Sequence, residues 1–178
     1  ELRRPLELFV KKNKIKVHTG VFAEGAEPTK DGRTKLFYVD KNAKEGTKPE
    51  EIISDKILVT VGRKPNSKAL EPTGVALDER GFVKVNDRCE TNMRGVYAIG
   101  DVCNSGEMLA HVASFQGEMV AEIIAGKKRA YDPVAVPAIV FTEPEVVSVG
   151  LSPDEAKEAG HPVITGKFPL AANGRSLT

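Results

Sequence analysis

Apolar residues recur along this chain with two different periods, and the switches between them divide it into elements. Residues 1 to 13 carry Leu2, Leu6, Phe9 and Val10 on one helical face, with Pro5 tolerable only in a first turn. Ile15-Lys16-Val17-His18 then alternates as a short strand does, so helix and strand together read as the tail of a βαβ unit. Val21 to Glu27, Lys35 to Asp40 and Glu51 to Ser54 follow as strands of a meander, with Asp31-Gly32 as a hairpin turn. The run Ile57-Leu58-Val59-Thr60-Val61 ends at Gly62 and is apolar throughout, as a strand buried on both faces is.

Arg63-Lys64-Pro65-Asn66 interrupts the pattern and predicts a domain boundary. Leu70 to Ala76 reads as irregular, and Asp78-Glu79-Arg80-Gly81 as a turn leading into an alternating strand, Phe82 to Val85. Val96-Tyr97-Ala98-Ile99 predicts a buried strand stopped by Gly100-Asp101. Met108 to Ala125 carries apolar residues at helical spacing, Leu109, Val112, Ala113, Met119, Val120, Ile123 and Ile124, with Gly126 placed to end it. From Tyr131 onward, Ile139 to Phe141 and Val146 to Val149 predict paired strands. Ser152-Pro153-Asp154-Glu155 predicts a capping box with Pro at the first helical position, and Val163 to Phe168 a last strand. The fold class is α/β, in three segments: 1–63, 64–130 and 131–178.

Composition narrows the function without naming one. Among 178 residues, 40% are hydrophobic and 29% charged, which describes a globular protein in water. The net charge of +1 gives no electrostatic reason to expect nucleic acid or an anionic membrane as partner. The basic cluster near the start (Arg3, Arg4, Lys11, Lys12, Lys14 and Lys16 against Glu1 and Glu7) reads as a solvated helix face. No apolar run approaches the roughly 18 residues of a membrane span. The opening Glu1-Leu2-Arg3-Arg4, inside a helical pattern and without an initiating Met, sets the expectation of an internal segment of a longer chain. Cys89 and Cys103 are too far apart in sequence for a CxxC pair. They are expected as free thiols of a reducing compartment, the cytoplasm or the mitochondrial matrix of a eukaryote. No metal site is expected.

The sharpest candidate chemistry lies in Thr91-Asn92-Met93-Arg94-Gly95-Val96-Tyr97-Ala98-Ile99-Gly100-Asp101-Val102. An apolar strand delivers Asp101 at its carboxyl end, with Gly100 beside it so that a ligand can approach the backbone. In open α/β sheets such a strand end is where ligands bind. An ionised Asp there accepts hydrogen bonds from sugar-like hydroxyls, each worth roughly 1.5–3 kcal/mol when water is excluded. Taken alone, Gly100-Asp101 would serve equally as a turn and a helix cap. The whole pattern tips the balance toward a ligand.

That pattern, T-x-x-x-G-V-Y-A-I-G-D-V, resembles the second flavin fingerprint of the pyridine nucleotide-disulfide reductase family. Met108-Leu109-Ala110-His111 resembles the M-L-A-H run of the dihydrolipoamide dehydrogenases within it. The resemblance implies that Asp101 binds the ribityl chain of FAD. It also implies that Met108, Leu109, Ala110 and His111 open a helix whose N–H groups and partial positive charge face the flavin. His111 is implied as a neighbour of the flavin and not as an acid or base. Leu58 to Asn66 resembles the L-V-x-x-G-R-x-P-N that ends the family's nicotinamide-nucleotide domain. Gly62 is implied to let NAD lie against the backbone, and Val21 to touch the adenine. Pro137 to Gly150 resembles the start of the family's dimer-interface domain.

The segments would then be the ends of an NAD-binding and an FAD-binding domain and the beginning of a dimerisation domain. The implied whole is a homodimeric flavoprotein passing electrons from dihydrolipoamide through a disulfide and FAD to NAD, with lipoyl-bearing multienzyme complexes as partners. The sequence holds no G-x-G-x-x-G loop and no closely spaced redox cysteines, and the base-supplying His-Pro segment near the family's C-terminus is missing too, so no catalytic residue is assigned and the segment alone is expected to be inactive. A mercuric or glutathione reductase-like relative, or a non-catalytic folding or docking fragment, is the alternative.

Overall fold

The first helix forms where the apolar period predicts it. In the computed structural model, which describes residues 3–177, α1 spans Arg3–Lys12, with Lys11 and Lys12 in its last turn, where cations complement the helix dipole. Leu6, Phe9 and Val10 make its half-buried face; Leu2 lies outside the described residues. The chain divides into two units, Glu1–Lys64 and Pro65–Thr178.

The first unit is built on a three-stranded antiparallel meander in the order β1-β2-β3, where β1 is Val21–Pro28, β2 Thr34–Asp40 and β3 Glu50–Ser54. Register runs from Val21 opposite Asp40 to Pro28 opposite Thr34, with an irregularity between Ala23 and Gly25. Gly32, at φ +83°, supplies the left-handed residue that the tight β1–β2 turn requires. Asp31 bonds the side chains of Arg33 and Thr29 across that turn, and these bonds hold its carboxyl down at about 2. Tyr38 is the buried residue of β2. Its hydroxyl donates to Glu50 at 2.8 Å, and its ring meets the edge of His18 at 5.1 Å.

Two expected strands of this unit are not there. Ile15 to His18 is exposed chain without regular structure. Ile57 to Val61 is also irregular, with Leu58 86% and Val61 93% exposed. The alternation of the first and the apolar run of the second predict strands, and a strand exists only as a member of a ladder. Among the described residues neither run has a ladder partner.

The second unit packs around one helix, α2 (Ala110–Ile124), which buries Val112, Gln116, Met119, Val120 and Ile123. Cys89, Met119, Val120 and Ile123 form the centre of the core, with Tyr97 and Tyr131 packed against it. Gly126, at φ +89°, follows the helix as predicted. Phe82 to Val85 and Val96 to Ile99 are not strands: they are reduced to isolated bridges of Val83 with Leu77 and Cys103, and of Tyr97 with Glu90. Val96 and Ile99 are accordingly more than a third exposed.

Farther on, β4 (Pro137–Val140) pairs antiparallel with β5 (Val146–Val149) as expected. The helix α3 (Pro153–Glu158) starts on the predicted capping box: Ser152 Oγ accepts from the Glu155 N–H at 3.3 Å, and the Glu155 carboxylate accepts from the Ser152 N–H at 2.8 Å. Val163 to Phe168 forms no strand, again for want of a neighbour among the described residues. The fold class is α/β, with helices and small antiparallel sheets. No described helix is long and apolar enough to cross a membrane.

Candidate functional site

The segment expected to end a strand at Asp101 ends instead in a single 3-10 turn, Gly100–Val102, entered from an extended Ile99. Gly100 has φ +68°, and a Cβ added there would stand 3.0 Å from the Cβ of Ala113 on α2. Glycine is needed twice over, for the left-handed backbone and for the close approach to the helix.

The Gly100 peptide is then held on both sides. Its N–H donates to Gln116 Oε1 at 2.7 Å. Its C=O accepts from the Cys103 N–H at 3.1 Å and from the Cys103 thiol at 3.2 Å. Gln116 Nε2 donates in turn to Ser105 Oγ at 2.9 Å, and Ser105 Oγ lies 3.1 Å from Cys103 Sγ. Asp101 is the middle residue of the turn and is half-buried.

The other expected residues of this unit lie at the start of α2. Met108 and Leu109 are half-buried, and Ala110 and His111 are exposed. Leu109, the N-cap, is extended and gives the helix no side-chain cap, so the first-turn N–H groups have no side chain of the cap residue over them. His111 Nε2 is 2.9 Å from the carbonyl of Pro137 in β4. A carbonyl can only accept, so the ring proton sits on Nε2 and ties the helix start to the sheet.

These residues suit the sugar-like chain and the electron-rich edge of a flavin: an acidic side chain in a glycine turn, and a helix start without a side-chain cap. They offer nothing for its diphosphate. In the first unit, Val21 opens β1, half-buried, opposite Asp40. Gly62 has φ +113° and lies on exposed chain, with no atom within 4 Å of where a Cβ would be. A ligand could therefore reach that backbone.

Both cysteines are free and buried. Burial first, and then the neighbouring Cys103, push the Cys89 thiol up, against a lowering bond from Ser105. Sequence reasoning missed the partners of Gly100. The signal was there: Gln116 is a polar residue between Val112 and Met119 in an otherwise apolar stripe of α2.

Residues 1–117 match the family described as pyridine nucleotide-disulphide oxidoreductase, and residues 136–178 match its dimerisation domain. A dihydrolipoyl dehydrogenase of Thermus scotoductus is 48% identical over 179 aligned positions, 99% of this chain and 37% of the relative. One of Pseudomonas aeruginosa is 56% identical over 130 residues, 72% of this chain and 28% of the relative. The HOCl-induced flavoprotein disulfide reductase RclA from Escherichia coli shares the fold at a TM-score of 0.80 and 23% identity, covering 98% of this chain and 38% of that one. The chain thus spans about a third of the length of the curated relatives it matches. It belongs to the pyridine nucleotide-disulphide oxidoreductase family.

Proposed function

We propose that this chain forms one wall of the FAD site and one edge of the NAD site in a dihydrolipoyl dehydrogenase-like flavoprotein, which oxidises dihydrolipoamide through a disulfide and reduces NAD. The observation that carries the reading is the Gly100–Asp101 turn docked on α2, inside the T-x-x-x-G-V-Y-A-I-G-D-V pattern. Relatives named dihydrolipoyl dehydrogenase, 48% and 56% identical to this chain, support it.

Bound FAD would supply two-electron exchange between thiols and nicotinamide; the residues here bind and orient. Asp101 accepts hydrogen bonds from ribityl hydroxyls. The start of α2, from Met108 to His111, presents N–H groups and a partial positive charge to the ring edge, which favours negative charge there. His111 has its Nε2–H committed to the Pro137 carbonyl and serves as a neighbour of the flavin. Gly62 and Val21 border the nicotinamide nucleotide.

Segments 1–63, 64–130 and 131–178 act as the ends of the NAD- and FAD-binding domains and the start of the dimerisation domain. The working protein is a homodimer of the cytoplasm, or of the mitochondrial matrix in a eukaryote, and serves lipoyl-bearing complexes. This segment alone is inactive. The test is flavin content and turnover of the full-length protein carrying this segment. The reading expects about one FAD per subunit and NAD reduction with dihydrolipoamide. A preparation without flavin, or one that turns over glutathione disulfide with NADPH and not dihydrolipoamide with NAD, contradicts it.

A further inference from the structure

A glutamine inside an apolar helix face needs a reason, because hydrophobic packing of similar volume would serve the core at least as well. Gln116 is 1% exposed, and both ends of its amide are used. The oxygen takes the Gly100 N–H, and the nitrogen donates to Ser105 Oγ. Cys103, 3% exposed, gives its thiol proton to the Gly100 carbonyl, and its sulfur lies 3.1 Å from Ser105 Oγ. The bonds close a ring: Gly100 N–H, Gln116, Ser105, Cys103, Gly100 C=O. Every donor in it has an acceptor, and among the described residues no buried side-chain polar atom lacks a partner.

The ring closes on both sides of Gly100, the residue before Asp101. A glycine at φ +68° has no side chain to restrict it, and outside the ring the turn is met at its far end, where the Val102 carbonyl accepts from the Val83 N–H. We infer that Gln116, Ser105 and Cys103 are positioning residues for the flavin: they fix the Gly100 peptide so that Asp101 is preorganised to receive the ribityl chain. This rests on the flavin reading above. Cys103 thereby has a task that involves no redox chemistry.

The test is the FAD dissociation constant of the folded, full-length flavoprotein, read beside denaturant midpoints. Gln116→Leu leaves the half-buried Gly100 N–H without this partner, and FAD should bind about tenfold more weakly at matched foldedness. Gln116→Glu keeps an acceptor for that N–H and should restore the affinity to within about threefold of wild type. Ser105→Ala and Cys103→Ala each open the ring at a milder point and should weaken FAD by about threefold, whereas Cys103→Ser, which keeps a donor for the carbonyl, should not.

If Asp101→Ala weakens FAD while Gln116→Leu, Ser105→Ala and Cys103→Ala all bind it as wild type, the positioning inference is wrong and the flavin reading stands. If Gln116→Leu does not fold, the Ser105 and Cys103 variants decide alone, and unchanged affinity in both overturns the inference. If Asp101→Ala itself leaves affinity unchanged, the flavin reading falls and the inference falls with it.

Discussion

Two stretches of this chain carry nearly the same pattern and meet different fates. Ile57-Leu58-Val59-Thr60-Val61 runs into Gly62-Arg63, and Val96-Tyr97-Ala98-Ile99 runs into Gly100-Asp101. Neither is a strand. The first lies exposed, with open space around Gly62. The second is held by the Tyr97–Glu90 bridge, by the contact of Gly100 with Ala113 and by the Gln116 side chain. The difference lies in where the partners are. The second run finds a helix and a loop within its own unit. The first finds no ladder partner among the described residues, so its backbone groups are left to water.

The largest expected effects separate the two regions by their packing. Met119→Ala empties the core beneath the second run and should cost about 2–5 kcal/mol, whereas Leu58→Ala, on the first, should stay within about 0.5 kcal/mol. Denaturant midpoints of the two variants check this. An equal loss would mean that the first run is packed after all.

The glycines sharpen the contrast. Gly100→Ala sets a Cβ 3.0 Å from that of Ala113 and adds left-handed strain, about 3 kcal/mol together. Gly62→Ala meets no neighbour, and its exposed flanks can rotate to relieve the backbone, so the loss should be below about 1 kcal/mol. The same unfolding curves test it, and reversal of that order would undo the comparison.

The smallest effect is one of pH. Burial raises the Cys89 thiol, so the unfolded chain releases that proton before the folded one does. The stability of the second unit is therefore full below the ordinary thiol range and is lost as pH climbs through that range toward the raised value. Cys89→Ala should flatten this alkaline decline, as followed by midpoints across the basic range, and an unchanged slope would show that the thiol is not its source.

The same contrast shows what could be read beforehand. β1 to β3, β4 with β5, α2 and the Ser152 capping box were legible because each carries its partner nearby: a hairpin its turn, a helix its apolar stripe, a cap its reciprocal bonds. Ile15 to His18, Ile57 to Val61 and Val163 to Phe168 were misread for one reason. An apolar run or alternation reports a wish to be buried and is silent on whether a ladder is at hand. Phe82 to Val85 and Val96 to Ile99 failed more gently, as single bridges. At the candidate site the motif pointed to Gly100 and Asp101, but the ring through Gln116, Ser105 and Cys103 was hidden, since hydrogen bonds between residues far apart in sequence leave no period to detect.

The central claim is that the second run ends in a flavin-binding Asp101. Its most direct measurement is the FAD dissociation constant of the full-length flavoprotein and of its Asp101→Ala and Asp101→Asn variants, taken on the folded fraction. Loss of an ionised acceptor facing a buried hydroxyl costs roughly 1.5–3 kcal/mol, so Ala should weaken FAD by about tenfold to a hundredfold, and Asn, whose amide oxygen still accepts, by less. A turn-forming or capping Asp101 gives another result: Ala lowers the unfolding midpoint by about 1 kcal/mol, Asn is nearly neutral, and FAD affinity does not move. That second result would contradict the account.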